Sequence, residues 1–144
     1  MKKSTVLLLS VVFLASILIV GFFGMKSLSY REVIYIDKIV PTSVQLSTDE
    51  KCSIKQDENG KYYIRVNYVE DMVITLNYSI TPENNTFNNK TNISITKCSV
   101  NNPNAVEREF GAAFRVHQKC TFTIRVSAAD RTGGAYFDLE VYLK

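Results

Sequence analysis

Four stretches of this chain alternate polar and apolar side chains with a period of two, and nothing after residue 25 repeats with a helical period. In an extended strand successive side chains point to opposite faces, so such a stretch buries one face and solvates the other. Tyr62–Val69 carries Tyr62, Ile64, Val66 and Tyr68 on one face, with Arg65 and Asn67 on the other. Met72–Ile80 sets Met72, Ile74, Leu76, Tyr78 and Ile80 inward against Thr75, Asn77 and Ser79. Cys120–Ala128 places Cys120, Phe122, Ile124, Val126 and Ala128 inward, and Ala135–Leu143 does the same with Ala135, Phe137, Leu139, Val141 and Leu143. Shorter candidates are Val33–Val40, Val44–Leu46, Asn92–Cys98 and Ala112–Val116.

Turn residues fall between these runs. Asp57-Glu58-Asn59-Gly60 ends in Asn-Gly, which accepts the positive φ of a tight hairpin. Thr81-Pro82 closes a strand, because proline has no N–H for a ladder. Asp130-Arg131-Thr132-Gly133-Gly134 reads as the hairpin loop before the last strand. Seven or eight short antiparallel strands with turns between them predict an all-β, immunoglobulin-like two-sheet sandwich over residues 33–144.

The N-terminus obeys a different rule. After Met1-Lys2-Lys3-Ser4, residues 5–25 contain no charge. As a helix this run would reach roughly 31 Å, matching a hydrocarbon core of about 30 Å. It reads as a transmembrane signal anchor, with residues 1–4 cytoplasmic and residues 26–32 a short tether. Lys2 and Lys3 before the run favour a cytoplasmic N-terminus and an extracytoplasmic domain. The alternative is a cleaved signal peptide, with Ser27-Leu28-Ser29 as a small-x-small site that would release a secreted domain near Ser29. The residues between Lys26 and Val33 span roughly 20 Å when fully stretched, so an anchored domain stays close to the bilayer.

The formal charge of +3 resides in Lys2, Lys3 and Lys26. From residue 27 onward the Lys and Arg residues equal the Asp and Glu residues in number. A neutral, mixed-sign domain has no electrostatic footprint for nucleic acid.

The order of pieces resembles the bacterial immunoglobulin-like domain of group 2. The residues that carry the likeness begin with a strand pair meeting at the short turn Val69-Glu70-Asp71-Met72 and running to Ile80-Thr81-Pro82-Glu83-Asn84. The Asn-rich Ser99–Val106, the strand Thr121–Val126 and the closing Leu139-Glu140-Val141 complete it. Glu70 stands where that family usually has glycine, and Thr48–Lys61 reads as an insertion. The resemblance implies a sandwich. Some members of that family bind calcium, but no matching ligand set maps onto this chain.

Cys52, Cys98 and Cys120 are the cysteines, an odd number on what is expected to be an oxidising side. They are candidates for a disulfide or for free thiols, and spacing selects no pair. Cys120 shares the inward face of its strand, as a small core residue does. His117 lies three residues before it, so a Cys120–His117 nucleophile pair is the catalytic alternative. Arg125 or Arg131 would supply the arginine of a sortase-like transpeptidase, although such enzymes place their histidine far upstream of the cysteine. A His-x-x-Cys pair offers zinc only two of the four ligands a structural site needs. Asp57, Glu58 and Asn59 read as a solvated turn rather than a calcium loop. Asn-x-Ser/Thr triplets begin at Asn77, Asn84, Asn89 and Asn92 and read as chance occurrences in an Asn-rich chain.

The outward tyrosines Tyr63, Tyr136 and Tyr142 form the candidate contact surface, since tyrosine buries area while keeping its hydroxyl satisfied. The expectation is a non-catalytic, membrane-tethered module for binding, spacing or assembly, with no cofactor. Its expected partners are an envelope protein or a cell-wall polymer.

Overall fold

The structure is a computed structural model that describes residues 10–17, 33–86, 90–129 and 134–144. Residues 10–17 form a helix whose Val11, Val12, Phe13, Leu14 and Ile17 are exposed. No helix among the described residues is long and apolar enough to cross a membrane. The anchor expected over residues 5–25 extends beyond this segment on both sides, and its remainder lies outside the described residues. So do the tether 26–32 with Ser29, the sequon residue Asn89, and Arg131 within the loop before the last strand.

Ile34–Lys144 forms a compact unit of its own. It contains nine strands among the described residues: β1 (Lys38–Leu46), β2 (Lys55–Gln56), β3 (Tyr62–Val66), β4 (Met72–Thr81), β5 (Thr91–Cys98), β6 (Val106–Arg108), β7 (Ala113–Val116), β8 (Thr121–Ala128) and β9 (Tyr136–Leu143). They build two sheets, ordered β1-β4-β7-β6 and β2-β3-β9-β8-β5. The inward residues of both sheets make one core, in which Ile64, Ile74, Phe114, Phe122, Ile124, Leu139 and Val141 have no exposed surface. The period-two reading holds on β8 and β9, where every expected inward position is buried, Cys120 and Ala135 at their margins included. The inward Tyr62, Tyr68 and Tyr78, in contrast, are only half-buried, and Tyr68 lies beyond the end of β3.

Four details differ from the sequence reading. First, the strands are not all antiparallel. β3 lies parallel to β9, with Ile64 opposite Val141, because it reaches that neighbour by a crossover rather than a hairpin. Second, β3 and β4 are not a strand pair meeting at a turn. They belong to different sheets, and the chain between them changes layer. Asp71 takes φ 58° there, a left-handed conformation that aspartate tolerates better than most residues. Third, Val33–Val40 and Val44–Leu46 are replaced by the single strand β1, whose register slips between Pro41 and Ser43. Proline is accommodated because β1 is an edge strand. Fourth, β2 and β6 raise the strand count above seven or eight, and both are too short to show a period.

The Asp57–Gly60 turn joins β2 to β3 as expected. Asp57 Oδ1 accepts the backbone N–H of Asn59 and of Lys61, both at 2.9 Å. Gly60 sits at φ +77° with nothing near its missing Cβ, so glycine is selected there by backbone conformation and not by space.

Candidate functional site

The outward positions of β3, β8 and β9 gather the candidate contact residues on one surface, the outer face of the five-stranded sheet. The register sets Tyr63 opposite Glu140 and Arg65 opposite Tyr142 across the parallel pair. On the other side of β9, Arg125 faces Asp138 and Ser127 faces Tyr136. β3, distant in sequence, thus meets the consecutive pair β8 and β9 because their polar faces share the solvent side.

The tyrosines are held rather than loose. The Tyr63 and Tyr142 rings meet edge to face, with centroids 6.3 Å apart at 79°. The Arg65 guanidinium carbon lies 5.3 Å from the Tyr63 ring centroid, an attraction worth about 0.5–1 kcal/mol at an exposed site. The Tyr142 hydroxyl donates to Glu140 Oε2, and that bond, followed by burial, raises the Tyr142 pKa above its ordinary value. At the opposite end of β9, Arg125 donates through Nε and Nη2 to the two carboxylate oxygens of Asp138, each at 2.7 Å. The Arg125 guanidinium carbon also lies 4.7 Å from the ring centroid of Tyr136, which is 56% exposed. A bidentate pair fixes both orientation and distance, so Tyr136 is presented on a braced platform. The Asp138 carboxylate holds the Arg125 pKa above its ordinary value.

Between these two groups Lys61, Lys97, Thr123, Arg125, Asp138 and Glu140 line a shallow polar groove. A second depression shares Lys61 and Glu140 with it and adds Tyr63, Arg65 and Tyr142. Tyr63, Tyr136 and Tyr142 therefore share a face as expected; Tyr63 and Tyr142 touch each other, and Tyr136 stands with Arg125. The sequence reading missed Arg65, Asp138 and Glu140. Their signal was the outward phase they share with the tyrosines. It also missed Phe110, a single apolar side chain that is 99% exposed between β6 and β7.

The thiol and imidazole candidates are placed differently. His117 Nδ1 is 2.5 Å from Asp71 Oδ1, and Nε2 is 3.4 Å from Glu107 Oε2. Both ring nitrogens face carboxylates, so the ring does not serve the Cys120 sulfur. Cys120 is buried, and burial, with its neighbour Cys98, pushes its thiol pKa up to about 12. Cys52 is half-buried and its pKa is raised first by burial and then by Glu50, with Lys55 opposing. A reactive thiol requires the opposite shift. All three cysteines are free. Of the two arginines considered for a transpeptidase, Arg125 is engaged by Asp138. No trio of metal-ligating side chains occurs among the described residues, and the Asp57 carboxylate is occupied with its own turn.

His117 gives a pH prediction. Its pKa is raised above 6.5, first by the hydrogen bond to Asp71, with Glu107 adding to the effect and burial opposing it. A raised folded pKa contributes stability that is complete below the unfolded value near 6.5 and is lost as pH rises through the folded value. The expected result is an imidazole NMR titration midpoint above 6.5 that moves down in Asp71→Asn. An unchanged midpoint in that variant would contradict the pairing.

Comparison with protein families, with curated proteins and with solved structures finds no match for this chain.

Proposed function

We propose that this chain is a non-catalytic, membrane-tethered immunoglobulin-like module that works at the outer face of a bacterial membrane and meets an envelope partner through its five-stranded sheet. The observation that carries the reading is the braced tyrosine surface: Tyr63 against Tyr142, and Tyr136 over the Arg125–Asp138 pair. Tyrosine and arginine are the residues that interfaces enrich, and side chains already fixed by neighbours lose little entropy on binding. A polar groove between them suits an envelope protein or a wall polymer better than an apolar ligand.

Strand order supports the immunoglobulin-like part. Written as letters in chain order, β1-β4-β7-β6 follows the A-B-E-D sheet of such sandwiches, and β5, β8 and β9 follow C, F and G. β2 and β3 fall outside this lettering and add to the opposite sheet beside β9. The uncharged run 5–25, with Lys2 and Lys3 before it, supports the tether and its direction.

Protease added to wall-stripped cells tests this location. The expected outcome is digestion or release of the Ile34–Lys144 unit while cytoplasmic markers survive. Protection of that unit, with external controls digested, would overturn the reading.

A further inference from the structure

We propose that Cys98 and Cys120 are a disulfide-forming pair that staples the edge strand β5 to its neighbour β8, leaving Cys52 as the unpaired thiol. The inference rests on the extracytoplasmic reading only for where the bond persists, since thiols stay reduced in the cytosol.

The ladder supplies the placement. β5 is the last strand of its sheet and is held along one side only, by β8. Cys98 is its final residue and stands opposite Phe122. One step further, Ser99 N–H donates to Thr121 O and Thr121 N–H donates to Ser99 Oγ, both at 2.8 Å. Cys120 therefore lies diagonally across from Cys98, on the face that Phe122 occupies. A diagonal pair in a regular ladder is about 7–8 Å apart, beyond the usual span of a disulfide, so closing the bond requires the backbone at Cys120 to move toward β5. Cys120 precedes the first residue of β8, so its backbone is not confined to ladder spacing. After burial, Cys98 is the neighbour that raises the Cys120 thiol pKa. Cys52 belongs elsewhere, beside Pro41, Ser43 and Tyr62.

The roles of the two sulfurs differ. Cys98 is exposed and Cys120 is 5% exposed, so an external disulfide meets Cys98 first. The Cys98 thiolate attacks that disulfide, one S–S bond breaks, a mixed disulfide forms, and one thiol leaves. Cys120 then loses its proton and attacks the Cys98 sulfur, expelling the second thiol. In total two S–H bonds of the protein are exchanged for one S–S bond, and the oxidant, a small-molecule or protein disulfide, is reduced to two thiols. Burial suppresses the Cys120 thiolate, so the second step is the slow one. The closed bond pins the end of an edge strand whose register slips between Ile95 and Lys97.

The test uses the full-length chain in detergent, equilibrated with mixtures of oxidised and reduced glutathione, acid-quenched, alkylated and peptide-mapped. The expected result is one linked peptide joining Cys98 to Cys120, with Cys52 alkylated. Cys52→Ser is expected to leave the link intact, and Cys98→Ser, which spares the core, to abolish it. A higher denaturation midpoint for the oxidised form, absent in Cys98→Ser, supports the staple. Three alkylated thiols at every glutathione ratio, or a link that recruits Cys52, would overturn it. Acid trapping of whole cells separates the two claims: a bond that forms in glutathione but is absent in cells leaves the pair standing and sinks the extracytoplasmic location.

Discussion

Phe122→Ala is expected to lower the stability of the sandwich by about 3–5 kcal/mol. Phe122 has no exposed surface and sits on β8, between β9 and β5. Truncation removes its transfer free energy and leaves a cavity that the two sheets cannot close, because strands paired on both sides have little freedom to collapse inward. A single domain has a total stability of only about 5–15 kcal/mol, so the variant retains a fraction of it. Phe110→Ala is the matched control. Its ring is 99% exposed, and a surface change of this kind stays within about 0.5 kcal/mol. Urea unfolding of both variants is the measurement. Equal midpoints would mean that the two inward faces do not form one core.

Removing Tyr63 and Tyr142 together is expected to reduce partner capture about tenfold or more, corresponding to at least about 1.4 kcal/mol of binding free energy. The rings brace each other edge to face, so their effects couple and the double substitution is the informative one. Loss of this outward pair costs the fold only about 0.5–1.5 kcal/mol beyond area burial, which separates a binding defect from unfolding. The readout is the yield of partner cross-linked from a photoreactive residue at position 136, with thermal unfolding followed in parallel. Unchanged capture by the folded double variant would remove the ring pair from the contact surface.

The inward faces of β4, β8 and β9 were legible because a two-residue period is local information, and burial of one face enforces it. The Asn59-Gly60 turn was legible for the same reason. Its demand for a positive φ lies within four residues. The parallel pairing of β3 with β9 was not, since it depends on where the chain changes sheets, and nothing local to Val69–Met72 announces a crossover. β2 and β6 escaped because strands of two and three residues carry no period. The outward phase of Tyr63, Tyr136 and Tyr142 was readable in the sequence, whereas their partners were not. Arg65, Asp138 and Glu140 become neighbours of those rings only once the register is fixed. The cysteines follow the same logic. Cys98 and Cys120 are separated by β6 and β7 in the chain, and the β5–β8 ladder alone makes them adjacent.

The claim on which the functional account depends is that the outer face of the five-stranded sheet touches something in the cell envelope. Its most direct measurement places a photoreactive amino acid at position 136 in one strain and at position 101 in another. Tyr136 is on that face and Asn101 is an exposed position after β5. On irradiation of intact cells, a discrete adduct from position 136, in excess of that from position 101, is the expected result. Indistinguishable adducts from the two positions, or none from 136, would contradict it.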